Sequence, residues 1–202
     1  MRNMSIPEIV IRPLSLRGKI LIIINILGIL IGWIYMFYHY SQLPEIIATN
    51  FNSDGAAIGY GHKSALLIAP TILTITILLI LLIIHYRFTL VMHYPWLINL
   101  PAFSLIIASP KLSPKLRAEF INRIFNVVLL IMLGISWLIP LIAFLTINGA
   151  INKHLPFNPL LIILPILIMI PISFYIYYQI YHQLIHTIKQ QDLHTTRWFQ
   201  NI

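Results

Sequence analysis

The sequence predicts an all-α integral membrane protein: a four-helix bundle with both termini cytoplasmic and an ordered extracytoplasmic hairpin between helices 1 and 2. Three observations predict it. First, 59% of the 202 residues are hydrophobic and only 9% are charged, with a mean hydropathy of +0.88. A soluble domain carries about 25% charged residues, so this chain cannot clothe a globule in polar surface, and lipid must cover it. Second, four stretches, Ile20–Tyr40, Ala65–Tyr86, Ile124–Ile147 and Leu160–Tyr181, contain no Asp, Glu, Lys or Arg. Each is long enough to cross ~30 Å of hydrocarbon as a helix. Their continuous apolarity, without alternation, argues against barrel strands. Third, eleven Lys and Arg fall in the N-terminal segment, the second connection and the tail, whereas the first and third connections hold only Lys63 and Lys153. The positive-inside rule then places both termini in the cytoplasm and the 41–63 connection outside. Most of the net charge of +8 is thereby a topology signal. It does not form the clustered cationic track that nucleic acid requires, so no nucleic-acid partner is expected.

Taken in order, the N-terminal segment with Pro7 and Pro13 reads as a surface lead-in. The first span is too long for a signal peptide, and it ends in aromatics (Trp33, Tyr35, Phe37, Tyr38, Tyr40) that suit a membrane interface better than a cleavage site. Pro70, Pro140, Pro165 and Pro171 lie in or at the ends of spans and are expected to bend them. In the second connection, the apolar run 96–107 is too short to span and is expected in the interface or packed under the bundle. Ser113-Pro114 followed by Glu119 resembles a helix start, so the third helix should begin near Pro114 and protrude before entering the membrane. The tail from Lys189, with Trp198 and Phe199, reads as a surface helix extending the fourth span.

Few residues carry chemistry. Asn25 and Asn126, the strongest polar groups within the spans, read as hydrogen-bonding glue between helices. Gly28 and Gly32 share one face of helix 1 and allow a close approach, either to a second copy or, preferentially, to another helix of the same bundle. The spans lack the charged groups that couple transport to protons or cations. His182 and His186 sit one helical turn apart, but Gln183 stands where a zincin needs its general base; the only further ligands nearby are Asp192 and His194. With no cysteine there is no thiolate site. Glu45 and Asp54 could form an acid–base dyad only if an exposed loop shifted their pKa values. No catalytic residue, metal or cofactor is therefore expected.

The 43–63 run is the one polar, glycine-punctuated stretch between apolar spans. Pro44 and Glu45 resemble the start of a helical turn. Asn50, Asn52, Asp54 and Gly55 are turn formers, and Gly59 and Gly61 permit positive φ. Phe51 and Tyr60 are expected to dock on the bundle, with Lys63 where the second helix meets the outer headgroups. Two readings stand side by side: a cap sealing the outer mouth, and an external binding surface made of Pro44, Asn50, Phe51, Asn52, Asp54, Gly55, Tyr60 and Lys63.

The run is similar to the small membrane domain of unknown function sixteen-forty-eight, found at the N-terminus of bacterial SdpI-type immunity and signal-transduction proteins. The matching positions are Leu43, Pro44, Ile47, Phe51, Asn52, Gly55, Gly59, Tyr60, Gly61 and Lys63, with Pro70 in the next span. Ala48, Asn50 and Ile58 replace a family Pro, His and Asp. Asn99-Leu100-Pro101 resembles the Asn-Tyr-Pro turn of longer members. The resemblance is specific over 34–70. It implies a multi-pass protein of the cell membrane without known catalysis. Its best-understood relatives protect a cell from a secreted antimicrobial peptide and hold a transcriptional repressor at the membrane. The partners this implies are the lipid bilayer, a peptide or membrane protein outside and a regulator inside. The alternative is an accessory or structural subunit of a transporter or permease.

Overall fold

In a computed structural model, residues 9–94, 101–109, 112–154 and 163–200 are described. The side chains of 101 and 192–200 are not, so the expectations for Asn99-Leu100-Pro101, Asp192, His194, Trp198 and Phe199, and for the first residues of the fourth span, fall outside the description. The order is α1 (Leu16–Tyr40), β1 (Ile46–Phe51), β2 (Ala57–His62), a 3-10 turn (Lys63–Leu67), α2 (Ile68–His85), α3 (Arg87–His93), α4 (Pro101–Ala108), α5 (Pro114–Asn152) and α6 (Leu164–Gln200). Four of these helical stretches are long and apolar enough to cross a membrane.

α5 is the axis. Its most apolar window is 44% buried, against 28% for the span of α1, 17% for that of α2 and 11% for that of α6. With 39 residues it is about 58 Å long, far more than the hydrocarbon thickness, so it projects beyond the bilayer as expected. Ser113 caps it by accepting from the Leu116 amide at 3.4 Å, and Pro114 occupies the first turn, where no N–H donor is needed. Glu119 lies beyond that first turn and pairs with Arg123 instead.

α1 lies parallel to α5, joined at several levels, the farthest being Asn148 Nδ2, which donates to the Tyr35 hydroxyl at 3.2 Å. Asn126 Nδ2 donates to Ser15 Oγ at 3.0 Å, beside Gly18, whose missing Cβ leaves room for Asn126 Oδ1. Asn25 Nδ2 reaches the Leu129 carbonyl at 3.2 Å. Gly28 and Gly32 then seat α1 against Ser136, Ile139 and Pro140. A Cβ on Gly32 would stand 2.8 Å from the Pro140 nitrogen, so the two backbones touch. Pro140 has no N–H for the Ser136 carbonyl. That carbonyl lies against Gly28, where a Cβ would sit 3.2 Å away. The glycine pair thus packs within the chain. α2 joins through Trp33 Nε1, which donates to Thr74 Oγ1 at 2.9 Å, and through buried Ile77 and Ile84. α6 runs antiparallel to α5, with Met169 and Pro165 against Gly134. Pro70 and Pro165 fall in first helical turns and need bend nothing; Pro140 and Pro171 are interior.

The end carrying the N-terminal segment is tied together by buried cations. Arg87 donates to the Asn122 side chain at 2.7 Å, to the Ile84 carbonyl at 2.9 Å and to the Arg12 carbonyl at 2.8 Å. Asn122 donates to the Pro13 carbonyl at 2.9 Å. In the described part of the lead-in, 9–15, Ile9 is buried and these two carbonyls are held, while Val10, Ile11 and Pro13 lie exposed as a surface segment would. α4 also packs under the bundle, its Phe103 ring edge-on to Phe125 at 5.8 Å.

Candidate functional site

The connection after α1 is a β-ribbon. No helical turn starts at Pro44-Glu45; the chain leaves α1 through a turn and enters β1. β1 and β2 pair antiparallel, Ile46 opposite His62, Ile47 opposite Gly61 and Ala48 opposite Tyr60, with irregular register near Asn50. Asn52 folds the tip: its Oδ1 accepts from the Asp54 amide at 3.1 Å and the Ala56 amide at 2.8 Å. Gly55 takes φ 85°, a conformation a side chain would strain. Gly59 leaves space for Asn50, whose Nδ2 would stand 2.7 Å from any added Cβ.

Three attachments hold the ribbon on the bundle. Leu43 and Ile47 are buried with Met36 of α1, Leu66 of the 3-10 turn, and Ala143 and Ile147 of α5. At the tip, the Ala57 amide donates to the Lys153 carbonyl at 3.1 Å, and Ala56 bridges to His154. Lys153 takes φ 55° as it ends α5, which turns its carbonyl toward the ribbon. At the base, Lys63 Nζ lies 3.2 Å from Glu45 Oε1, donates to the Leu43 carbonyl at 3.3 Å and stands 5.2 Å over the Tyr40 ring. His62 Nε2 meets the other Glu45 oxygen at 2.8 Å, while its Nδ1 lies 2.8 Å from Ser64 Oγ. The hydrogen bond from Lys63, then its charge, holds the Glu45 carboxyl below its ordinary value, with a smaller contribution from His62.

The predicted site residues therefore divide. Asn52 and Gly55 build the tip, Lys63 the base, and Phe51 is half-buried. Pro44, Asn50, Asp54 and Tyr60 are exposed. Tyr60 does not dock on the bundle as expected: it is 58% exposed, and Leu43 and Ile47 do the docking. Glu45 and Asp54 stand at the base and the tip of the ribbon, about six strand residues or 20 Å apart, so they form no dyad. Sequence reasoning missed Ile46 and Ile58, 61% and 68% exposed, and the Glu45–His62–Lys63 cluster. Counting outward from a five-residue tip, 52–56, pairs 51 with 57 and 46 with 62, which sets Ile46, Ile58 and His62 on one face and brings Glu45 beside Lys63.

The family model described as Domain of unknown function (DUF1648) matches residues 27–74, which are the C-terminal half of α1, the whole ribbon and the start of α2. A protein of Archaeoglobus fulgidus, described as an uncharacterized protein, is 40% identical over 124 residues, covering 61% of this chain and 67% of the relative. No solved structure matches. By the ribbon it carries and the relative it resembles, this four-span membrane protein belongs to the DUF1648 family.

Proposed function

We propose that the protein is a membrane-resident recognition protein, sensing or immunity-like, whose ribbon faces outside the cell and meets a peptide or envelope component. The supporting observation is the pairing of rigidity with exposed apolar surface. The ribbon is fixed to α1, the 3-10 turn and α5, yet it presents Ile46, Ile58 and Tyr60 to the surroundings beside the Glu45–His62–Lys63 charges. Apolar side chains displayed outside a bundle's core mark an interaction surface, and a preformed strand pair can receive an extended peptide without the entropy cost of ordering itself. The Lys/Arg asymmetry supports this orientation. The family resemblance supports the peptide class, although Asn50 and Ile58 replace a His and an Asp, so recognition here rests on shape and apolar contact more than on titrating groups.

A reading as accessory subunit of a transporter or permease would need a helix face for its partner. Gly28 and Gly32 do not supply one, being occupied by α5; the broad exposed faces of α2 and α6 are what remains for it. The two readings separate in a challenge assay. Cells expressing the protein are exposed to the secreted peptide fraction of the source organism, with Ile58→Ser/Tyr60→Ser as the comparison. Protection that is lost in the double variant at unchanged membrane abundance supports recognition by the ribbon. Protection indifferent to both substitutions contradicts it.

A further inference from the structure

α1 and α6 both lean on α5 but do not pack along each other, and at the end carrying the N-terminal segment the space between them is a cavity of about 880 Å³. That volume suits a ligand of drug or lipid-headgroup size. Its lining changes character with depth. At the rim stand Arg12, Arg17, Glu119, Asn122, Arg123 and Asn126. Starting about one turn beyond Arg17 and Arg123, the walls are Leu21 of α1, Val127 and Leu130 of α5, and Ile176 and Ile180 of α6. From Glu119 to Leu130 the rise along α5 is about 16 Å. A cleft with a polar mouth and a hydrocarbon floor has the profile of an amphiphile.

The rim charges decide the sign of the head. Arg123 is engaged, to Glu119 and to Gln183 Oε1 at 2.7 Å, and Glu119 spends its charge there. The side chains of Arg12 and Arg17 have no hydrogen-bond or ion-pair partner among the described residues, so among these residues two positive charges stand uncompensated at the mouth. They are also held in place. The Arg12 and Pro13 carbonyls are taken by Arg87 and Asn122, and Ser15 is bound by Asn126. The first turn of α1 contains no acid and opens at the same rim, adding the partial positive charge of a helix start.

We propose that this cleft binds an anionic phospholipid. Its phosphate lies between the Arg12 and Arg17 guanidiniums, and one hydrocarbon chain lies along Leu21, Leu130 and Ile176 between α1 and α6. A free phosphate would leave the apolar floor unfilled, and a zwitterionic lipid would bring its own cation to a rim already positive. In the orientation proposed above, the rim lies at the cytoplasmic leaflet, where anionic lipids concentrate.

Native mass spectrometry of the full chain in a mild detergent tests this, with phosphatidylglycerol, phosphatidylcholine and inorganic phosphate as separate probes. One phosphatidylglycerol should be retained under activation that strips phosphatidylcholine, and inorganic phosphate should not compete at equal concentration. Near an anionic surface each cation counts for roughly fivefold in affinity, so Arg12→Gln/Arg17→Gln should weaken phosphatidylglycerol binding by about 25-fold. Leu130→Trp, which fills the floor and leaves the rim intact, should lose the same lipid. Unchanged thermal unfolding in lipid-free micelles confirms that each variant is folded; should one fail to fold, the other together with the phosphate competition decides. Equal retention of the two lipids, full competition by phosphate, or retention by folded rim and floor variants would each overturn the assignment.

Discussion

Glu45, Lys63, Arg87 and Asn122 show how a chain with so few polar groups uses each one structurally. In the sequence Lys63 is the one cation of its connection, and in the structure it closes the ribbon base through Glu45 and the Leu43 carbonyl. Because Lys63 depresses the Glu45 pKa, the contribution of this tie is complete above the ordinary carboxylate value of 4.5 and is lost as pH falls through the lowered one. A carboxyl-carbon NMR titration of Lys63→Met should find Glu45 titrating higher than in the native chain; an unchanged midpoint would remove Lys63 as the cause. Arg87 is 6% exposed and burial lowers its pKa, but its three acceptors keep the charge solvated by protein. Asn122→Leu removes the acceptor at Arg87 Nε. Leaving that donor buried should cost about 1–3 kcal/mol, read as a lower unfolding midpoint in detergent. The sequence shows Arg87 only as one cation among those setting topology. Its structural role depends on contacts to residues 12 and 122, which no local pattern reveals.

The elements differ in how plainly they are written. The four spans were legible because a helix in lipid satisfies its own backbone, so a long uncharged run has one stable solution. The helix start at Pro114 was legible too, from Ser113 and the proline. β1 and β2 were not. Ile46-Ile47-Ala48-Thr49 lacks clean alternation, β2 carries Gly59 and Gly61, and their pairing is held by distant residues on α5. The α1–α5 contact makes a graded prediction. Gly32→Ala drives a methyl into the Pro140 backbone, whereas at Gly61 the nearest atom is the Thr49 side-chain hydroxyl at 3.2 Å, which can yield. Thermal unfolding should therefore drop by several degrees for Gly32→Ala, by less for Gly28→Ala and least for Gly61→Ala. If Gly32→Ala altered only an oligomer equilibrium and left the unfolding midpoint untouched, the glycine pair would belong to an interface between copies.

At the scale of the whole molecule, α5 carries everything: α1, α2 and α6 pack on it, its far end holds the ribbon tip, and its near end floors the α1–α6 cleft. Two surfaces of different chemistry are thus fixed to one rod, a ribbon with exposed Ile46, Ile58 and Tyr60 at one end and a cationic rim at the other. Their opposite placement across a bilayer is what the recognition proposal requires. The chain has no cysteine, so single cysteines can report sidedness directly. Asp54→Cys on the ribbon tip and Lys115→Cys at the start of α5 are each treated with a membrane-impermeant maleimide in intact cells and again after permeabilisation. The account predicts labelling of Asp54→Cys in intact cells and of Lys115→Cys only once the membrane is opened; the reverse pattern would contradict it.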